Sequence, residues 1–275
     1  MLMERFVVGD ARVTLRATGR AGTVPVVYLH VYEGDGGGVW RLLTEAEAAG
    51  RGPAAIPEGT PGTTPAGTPG GTPTAGPHSP LALVAIEPAS WDDDLTPWPA
   101  PAAFRGGRDF GGGARRQLDL LEGEVMPRVE AFLAQGGLAP AFSAVAGYSL
   151  AGLFATWAAT ASDAFSRVAS VSGSLWYPGL VERVAAVGPS PRVGRAYFSL
   201  GEAEPRTRNR VMRPVLENTR QVAEAFGRAG VETRIELNPG GHFRDEDLRC
   251  ARAVGWLLSD GEAGGDRPAA EKDPA

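Results

Sequence analysis

The stretch AGYSLAGLFA, residues 146–155, decides how the rest of the chain is read. A run of small apolar residues ends at Tyr148, and a helical pattern opens at Leu150. Between them stands Ser149, with Gly147 two residues before it and Ala151 two after. Core packing asks for no hydroxyl there. Small neighbours at those positions permit a turn so sharp that larger side chains would clash, and such a nucleophile elbow pushes its serine out of the sheet. The plainer alternative is a strand-to-helix turn in which Ser149 only caps the helix. The flanking elements weigh between the two.

Downstream, strand and helix alternate. FSAVAGY (142–148), RVASVS (167–172), RAYFSL (195–200) and ETRIELN (232–238) read as strands. Between and after them, LAGLFATWAATA, GLVERVAAV, NRVMRPVLENTRQVAEAFGRAG and DEDLRCARAVGWLL read as helices. Upstream, RFVVGDARVTLRA holds two strand-like runs split by Gly9 and Asp10, a hairpin signal. VPVVYLH (24–30) and LALVAI (81–86) are buried-strand runs, and Trp40 to Glu47 is helical in pattern. ARRQLDLLEGEVMPRVEAFLA puts Leu118, Leu121, Val125, Val129 and Phe132 on one helical face, with a kink expected near Pro127. The alternation predicts one α/β domain over residues 1–260, a mostly parallel central sheet with helices on both faces. Only one helix fits between Ser172 and Arg195, so no inserted lid domain is expected.

Proline recurs at positions 53, 57, 61, 65, 69, 73 and 77, with Gly and Thr between. Proline at that density forbids a helix, and there is little to bury, so residues 50–80 are expected to be a disordered insertion. A period of four argues against collagen. The Gly/Pro-rich tail, 261–275, is read the same way.

The formal charge of −5, with no basic stripe, speaks against nucleic acid as a partner. Lys272 is the single lysine among 27 basic residues, a bias of base composition rather than of function. Cys250 is the only cysteine, which excludes an internal disulfide and suits a reducing compartment. The opening MLMERFVVGD lacks a signal-like apolar core, and no apolar run approaches ~18 residues. These features predict a soluble cytoplasmic protein without a membrane partner; they leave the oligomeric state open.

A serine hydroxyl is a weak nucleophile until a base takes its proton, and histidine is the usual base. The chain has three. His78 lies in the insertion, and His30, closing the third strand, reads as a residue that shapes the following loop. His242 lies in NPGGHF, directly after the last strand, where a fold carrying a nucleophile elbow places its base. The acid should follow the preceding strand, in YFSLGEAEPRTRN, to orient the imidazole and stabilise its charged form. Glu204 is favoured over Glu202, with Asp245 and Asp247 as further alternatives. One oxyanion donor is expected at the backbone amide of Leu150, and the second at Val31 or Tyr32. The loops 88–113 and GSLWYPG bring Trp91, Trp98, Trp176 and Tyr177 as a candidate substrate-binding wall, with packing between loops as the alternative. Asp92, Asp93 and Asp94 are not read as a metal site, because adjacent side chains diverge and no histidine is paired with them. Arg206, Arg208 and Arg210 are read as a solvated helix start rather than an anion receptor.

Together, AGYSLAGLFA, SVSGSLWYPG, YFSLGEAEPRTRN and ELNPGGHF resemble the esterases of the α/β-hydrolase superfamily. That group includes esterase D-like enzymes and the trilactone hydrolases that open enterobactin- and bacillibactin-type siderophores. The resemblance covers nearly the whole chain from about residue 80 and implies the α/β-hydrolase fold. It implies carboxylic-ester or lactone hydrolysis without a metal or other cofactor, with the nucleophile on Ser149, the base on His242 and the acid in GEAE. The substrate would be a small molecule. Two alternatives remain at this stage: an acyltransferase using the same triad, and a non-catalytic binding protein that kept the fold.

Overall fold

A computed structural model of the protein describes residues 1–19, 21–50, 56 and 80–259. Of the Gly/Pro/Thr-rich insertion only Gly50, Ile56 and Pro80 are among them; His78 and the tail 261–275 lie outside the described residues. Ile56 is buried among the apolar side chains of one helical layer, so the insertion gives one apolar group to the core, which its composition did not suggest.

The chain opens with β1 (Leu2–Val8) and β2 (Ala11–Thr18), an antiparallel hairpin turning at Gly9 with φ 54°. There follow β3 (Gly22–His30), α1 (Gly37–Ala48) and β4 (Leu81–Glu87). The loop beyond β4 folds into a short helix α2 (Trp91–Asp94) and a two-stranded ribbon, β5 (Pro99–Ala100) with β6 (Phe110–Gly111). Next come α3 (Ala114–Leu120), a π-helical turn over Leu121–Val125, and α4 (Met126–Gln135). The expected kink takes the form of that π turn. Pro127 cannot donate to the preceding turn and its ring would clash there, so the helix widens by one residue just before it. The rest is β7 (Leu138–Tyr148), α5 (Leu150–Ala161), β8 (Arg167–Val171), α6 (Leu180–Val187), β9 (Arg195–Gly201), α7 (Val215–Arg228), β10 (Glu232–Asn238) and α8 (Glu246–Leu258). Helix α7 begins six residues later than its sequence pattern suggested, because Pro214 stands at its N-cap.

Eight strands form one sheet in the order β1-β2-β4-β3-β7-β8-β9-β10. Only β1–β2 and β2–β4 are antiparallel; every other pairing is parallel. This is the α/β-hydrolase architecture, a mostly parallel sheet covered on both faces. One layer packs α3, α4, α5, α6 and α7 against the sheet around Tyr28, Leu118, Phe154, Phe198 and Phe226. The opposite layer packs α1 and α8 around Leu29, Leu43, Val171 and Val254. Between β8 and β9 lies α6 alone, with no inserted domain. No helix among the described residues is long and apolar enough to cross a membrane.

Parallel register places the strands' carboxyl ends along one edge. His30 pairs with Gly147, Tyr148 with Val171, Val171 with Ser199, and Asn238 with Gly201. The residue after each strand therefore emerges on the same rim, where ligands bind in open α/β sheets.

Candidate active site

Ser149 is the first residue past β7 and takes φ 59°, ψ −119°, a conformation that costs a non-glycine residue about 1–3 kcal/mol and persists only where its surroundings enforce it. Here they do. The Ser149 amide donates to the Val171 carbonyl at 3.0 Å, and the Ser149 carbonyl accepts from Ser174 and Leu153. A Cβ added to Gly147 would lie 2.3 Å from that of Ala151, and one added to Gly152 would lie 2.9 Å from Gly173 Cα. The turn closes only with small residues at these points. Every residue of α5 from Leu150 to Thr160 is buried, so the helix that starts at the serine is fixed in the centre of the domain.

His242 reaches Ser149 from the loop after β10. Its Nε2 is 3.0 Å from Ser149 Oγ, and its Nδ1 is 2.8 Å from Glu204 Oε2. Glu204 opens a 3-10 turn after β9, and its Oε1 accepts the Gly201 amide at 2.6 Å. The two loops are stitched together. Glu202 donates its amide to the Asn238 carbonyl, Ala203 donates to Gly240, and a Cβ on Gly201 would meet the Gly240 carbonyl at 2.6 Å. That close approach leaves Glu202 exposed and turns Glu204 inward, 6% exposed, onto the imidazole. Burial works against ionisation of Glu204. The hydrogen bond and charge of His242 outweigh it, helped by the Gly201 amide and the Ser172 hydroxyl, so the carboxyl stays below its ordinary range. Asp245 stands at the N-cap of α8 paired with Arg244, and Asp247 lies against Gly38 at the start of α1.

The amide of Leu150 lies in the first turn of α5, with no carbonyl one turn earlier to accept it. Of the two candidates for the second oxyanion donor, Val31 is corrected: its amide donates to the Ile86 carbonyl at 2.9 Å, continuing the parallel ladder past β3 and leaving it unavailable. Tyr32 is the next residue, outside that ladder, with its ring 65% exposed and edge-on to Trp91 at 5.3 Å.

The proposed aromatic wall divides. Tyr177 is 1% exposed and donates its hydroxyl to the Trp98 carbonyl at 2.5 Å, and Trp176 is buried against Phe110. Trp98 donates Nε1 to the Pro178 carbonyl at 2.8 Å and lies against Gly179. These three rings clamp the loop after β4 to the loop after β8. In that interlock Trp176 and Tyr177 are buried and serve packing between the two loops. Trp91, half-buried beside Tyr32, stays near the rim. In the same loop, Asp93 pairs with Arg108, Asp94 pairs with Arg116, and Ser90 caps α2. Arg206, Arg208 and Arg210 are all exposed.

Four side chains beside the serine and histidine escaped the reading of the sequence. Ser174 brings its hydroxyl 3.4 Å from Ser149 Oγ, and Tyr148 donates its hydroxyl to the His242 carbonyl. Ser172, with φ 44°, and Arg249 stand behind Glu204. Only Arg249 left a trace in sequence. It shares the stripe of Ala253 and Leu257 on α8, a charge on an otherwise apolar face.

Residues 76–246 match the family model described as "Putative esterase". The uncharacterized protein YbbA of Bacillus subtilis (strain 168) is 30% identical over 183 residues, covering 64% of this chain and 73% of that one. Among solved structures, an IroE-like serine hydrolase from Shewanella oneidensis is similar with a TM-score of 0.65 at 18% identity, over 93% of this chain and 79% of that one. The siderophore hydrolase EstA from Aspergillus nidulans gives a TM-score of 0.64 at 16% identity, over 93% of each chain.

Proposed function

The chain belongs to this esterase family, and from that premise we propose that it is a serine hydrolase that cleaves carboxylic esters through Ser149, His242 and Glu204. The carrying observation is the unbroken line of contacts from Glu204 Oε2 through the imidazole to Ser149 Oγ, on the rim where the strands end. Ser149 Oγ attacks the ester carbonyl while His242 Nε2 takes its proton. Glu204 accepts the Nδ1 proton in a hydrogen bond, which fixes the tautomer and stabilises the imidazolium. The oxyanion faces the amides of Leu150 and Tyr32; one such donor contributes about 2.7–4 kcal/mol to the transition state. His242 then protonates the departing alkoxide, leaving an acyl-enzyme on Ser149. Water, deprotonated by the same nitrogen, releases the acid. Siderophore hydrolases among the structural neighbours support a small-molecule ester of the siderophore kind as the substrate type. A buried, single Cys250 suits the cytoplasm as the location.

Treatment with a fluorophosphonate followed by peptide mass analysis tests the reading. The adduct is expected on Ser149, and a Ser149→Ala protein is expected to stay unlabelled and inert towards p-nitrophenyl esters and lactones. Turnover by a folded Ser149→Ala protein would remove the assignment.

A further inference from the structure

Arg249 is 2% exposed, and its partners lie in the segments that carry the three reacting side chains and at the end of β8 between them. Its Nη2 donates to the carbonyls of Pro239 and Gly241, both at 3.0 Å, in the loop that presents His242. Its Nη1 lies 3.0 Å from the Ser172 hydroxyl, 3.4 Å from the Tyr148 hydroxyl and 3.6 Å from Glu204 Oε1. Tyr148 immediately precedes Ser149 and donates its hydroxyl to the His242 carbonyl. Ser172 holds a left-handed φ of 44° at the end of β8, with its amide tied to Ser199. One planar guanidinium thus meets the ends of β7, β8, β9 and β10. A buried charge is retained where its hydrogen bonds are satisfied, and the fork of fixed donors reaches two carbonyls and two hydroxyls, with a carboxylate beside it as the opposite charge.

We propose that Arg249 is the positioning residue of the site, holding the His242 loop in register with the carboxylate that orients the imidazole. The inference rests on the Ser149–His242–Glu204 reading and deepens it. Arg249 touches no substrate. Without it, two carbonyls of the loop lose their common donor and the Glu204 carboxylate loses a nearby positive charge, and the imidazole drifts relative to Ser149 Oγ. A displacement of about 1 Å at a reacting group can cost about 10² in rate.

The test measures kcat, KM and melting temperature for Arg249→Met, Arg249→Ala and Arg249→Lys, on the p-nitrophenyl ester that the wild type cleaves best. The Met and Ala proteins are expected to lose about 10² in kcat with KM within about threefold, since substrate contacts are untouched. Millimolar methylguanidinium should restore at least about tenfold to the Ala protein and nothing to Glu204→Gln, whose Arg249 is in place. The Lys protein keeps the charge without the fork, and is expected to recover less than about a tenth of the lost rate. Wild-type kcat in any folded Arg249 variant overturns the proposal. So does a loss shared by kcat and KM that methylguanidinium leaves unchanged, which describes a loosened fold. If the Met and Ala proteins do not fold, the kcat of the Lys protein decides. A wild type that neither labels with fluorophosphonate nor cleaves any ester would instead remove the esterase reading beneath it.

Discussion

His30 closes β3 and His242 follows β10, so both histidines leave the same edge of one sheet. His30 is enclosed. Its ring lies tilted against Phe154 at 4.6 Å, its Nε2 accepts from the Gln117 amide at 3.1 Å, and its Nδ1 has no hydrogen-bond partner among the described residues. Burial pushes its pKa down to about 3, so it stays neutral across the working range. His242 is half-buried between a hydroxyl and a carboxylate, with one nitrogen committed to each. The imidazole is the same, and the groups within hydrogen-bond reach differ. A neutral ring wedged on an aromatic face shapes a loop, whereas one with an acceptor on one side and a nucleophile on the other can carry a proton.

The largest expected effect falls on the His242 side. His242→Ala should lower kcat/KM by about 10⁴ or more on an activated ester, and His30→Gln by no more than about tenfold. Comparable losses in steady-state assays of the two folded proteins would erase the distinction. Next comes the acid. Glu204→Gln should cost about 10² or more in kcat, because a neutral amide cannot stabilise the imidazolium. Glu202→Gln should cost less than about tenfold, since that residue is exposed. Equal, mild losses would indicate a Ser149–His242 pair working without a fixed acid.

His30 sharpens the comparison through stability rather than rate. Its folded pKa lies far below its unfolded value near 6.5, so between those two values the unfolded chain binds a proton that the native state refuses. Native stability therefore falls as pH drops through that window, by up to about 1.4 kcal/mol per pH unit. Glu204, also depressed, stabilises above the ordinary carboxylate range and loses that contribution only as pH falls through its lowered folded value. Chemical denaturation between about pH 4.5 and 6.5 should thus show a slope that His30→Gln removes and Glu204→Gln leaves. A wild-type slope retained by His30→Gln would show that His30 is not the group responsible. The smallest effect concerns the third histidine. Deleting residues 58–78 removes His78 but keeps Ile56, and should leave turnover within about twofold, because shortening a loop changes closure entropy only slightly. A marked loss in the same ester assay would give that segment a part in the site.

Most of this was written in local pattern. A glycine, a serine and an alanine at two-residue spacing between a strand and a helix suit a strained turn, because the clash that any side chain at position 147 would make with Ala151 is a matter of a few bonds. Alternating strand and helix signals imply a parallel sheet, and a parallel sheet brings the ends of distant strands to one rim. With only three histidines in the chain, that geometry was enough to single out His242. The choice between Glu204 and Glu202 was legible only as a preference. The approach of Gly201 to the Gly240 carbonyl, which turns one outward and the other inward, joins residues far apart in sequence.

What remained hidden depended on which groups other parts of the chain had already engaged. The Val31 amide is spent on Ile86, and Tyr177 on the Trp98 carbonyl, because neighbouring strands and loops present acceptors there. Ile56 is buried although its surroundings in sequence read as a polar linker. Arg249 was a charge on an apolar stripe until the ends of four strands met around it. Sequence determines local conformation through sterics and periodicity; the use of each donor, acceptor and apolar face is decided by long-range pairing, which exists only once the sheet has closed.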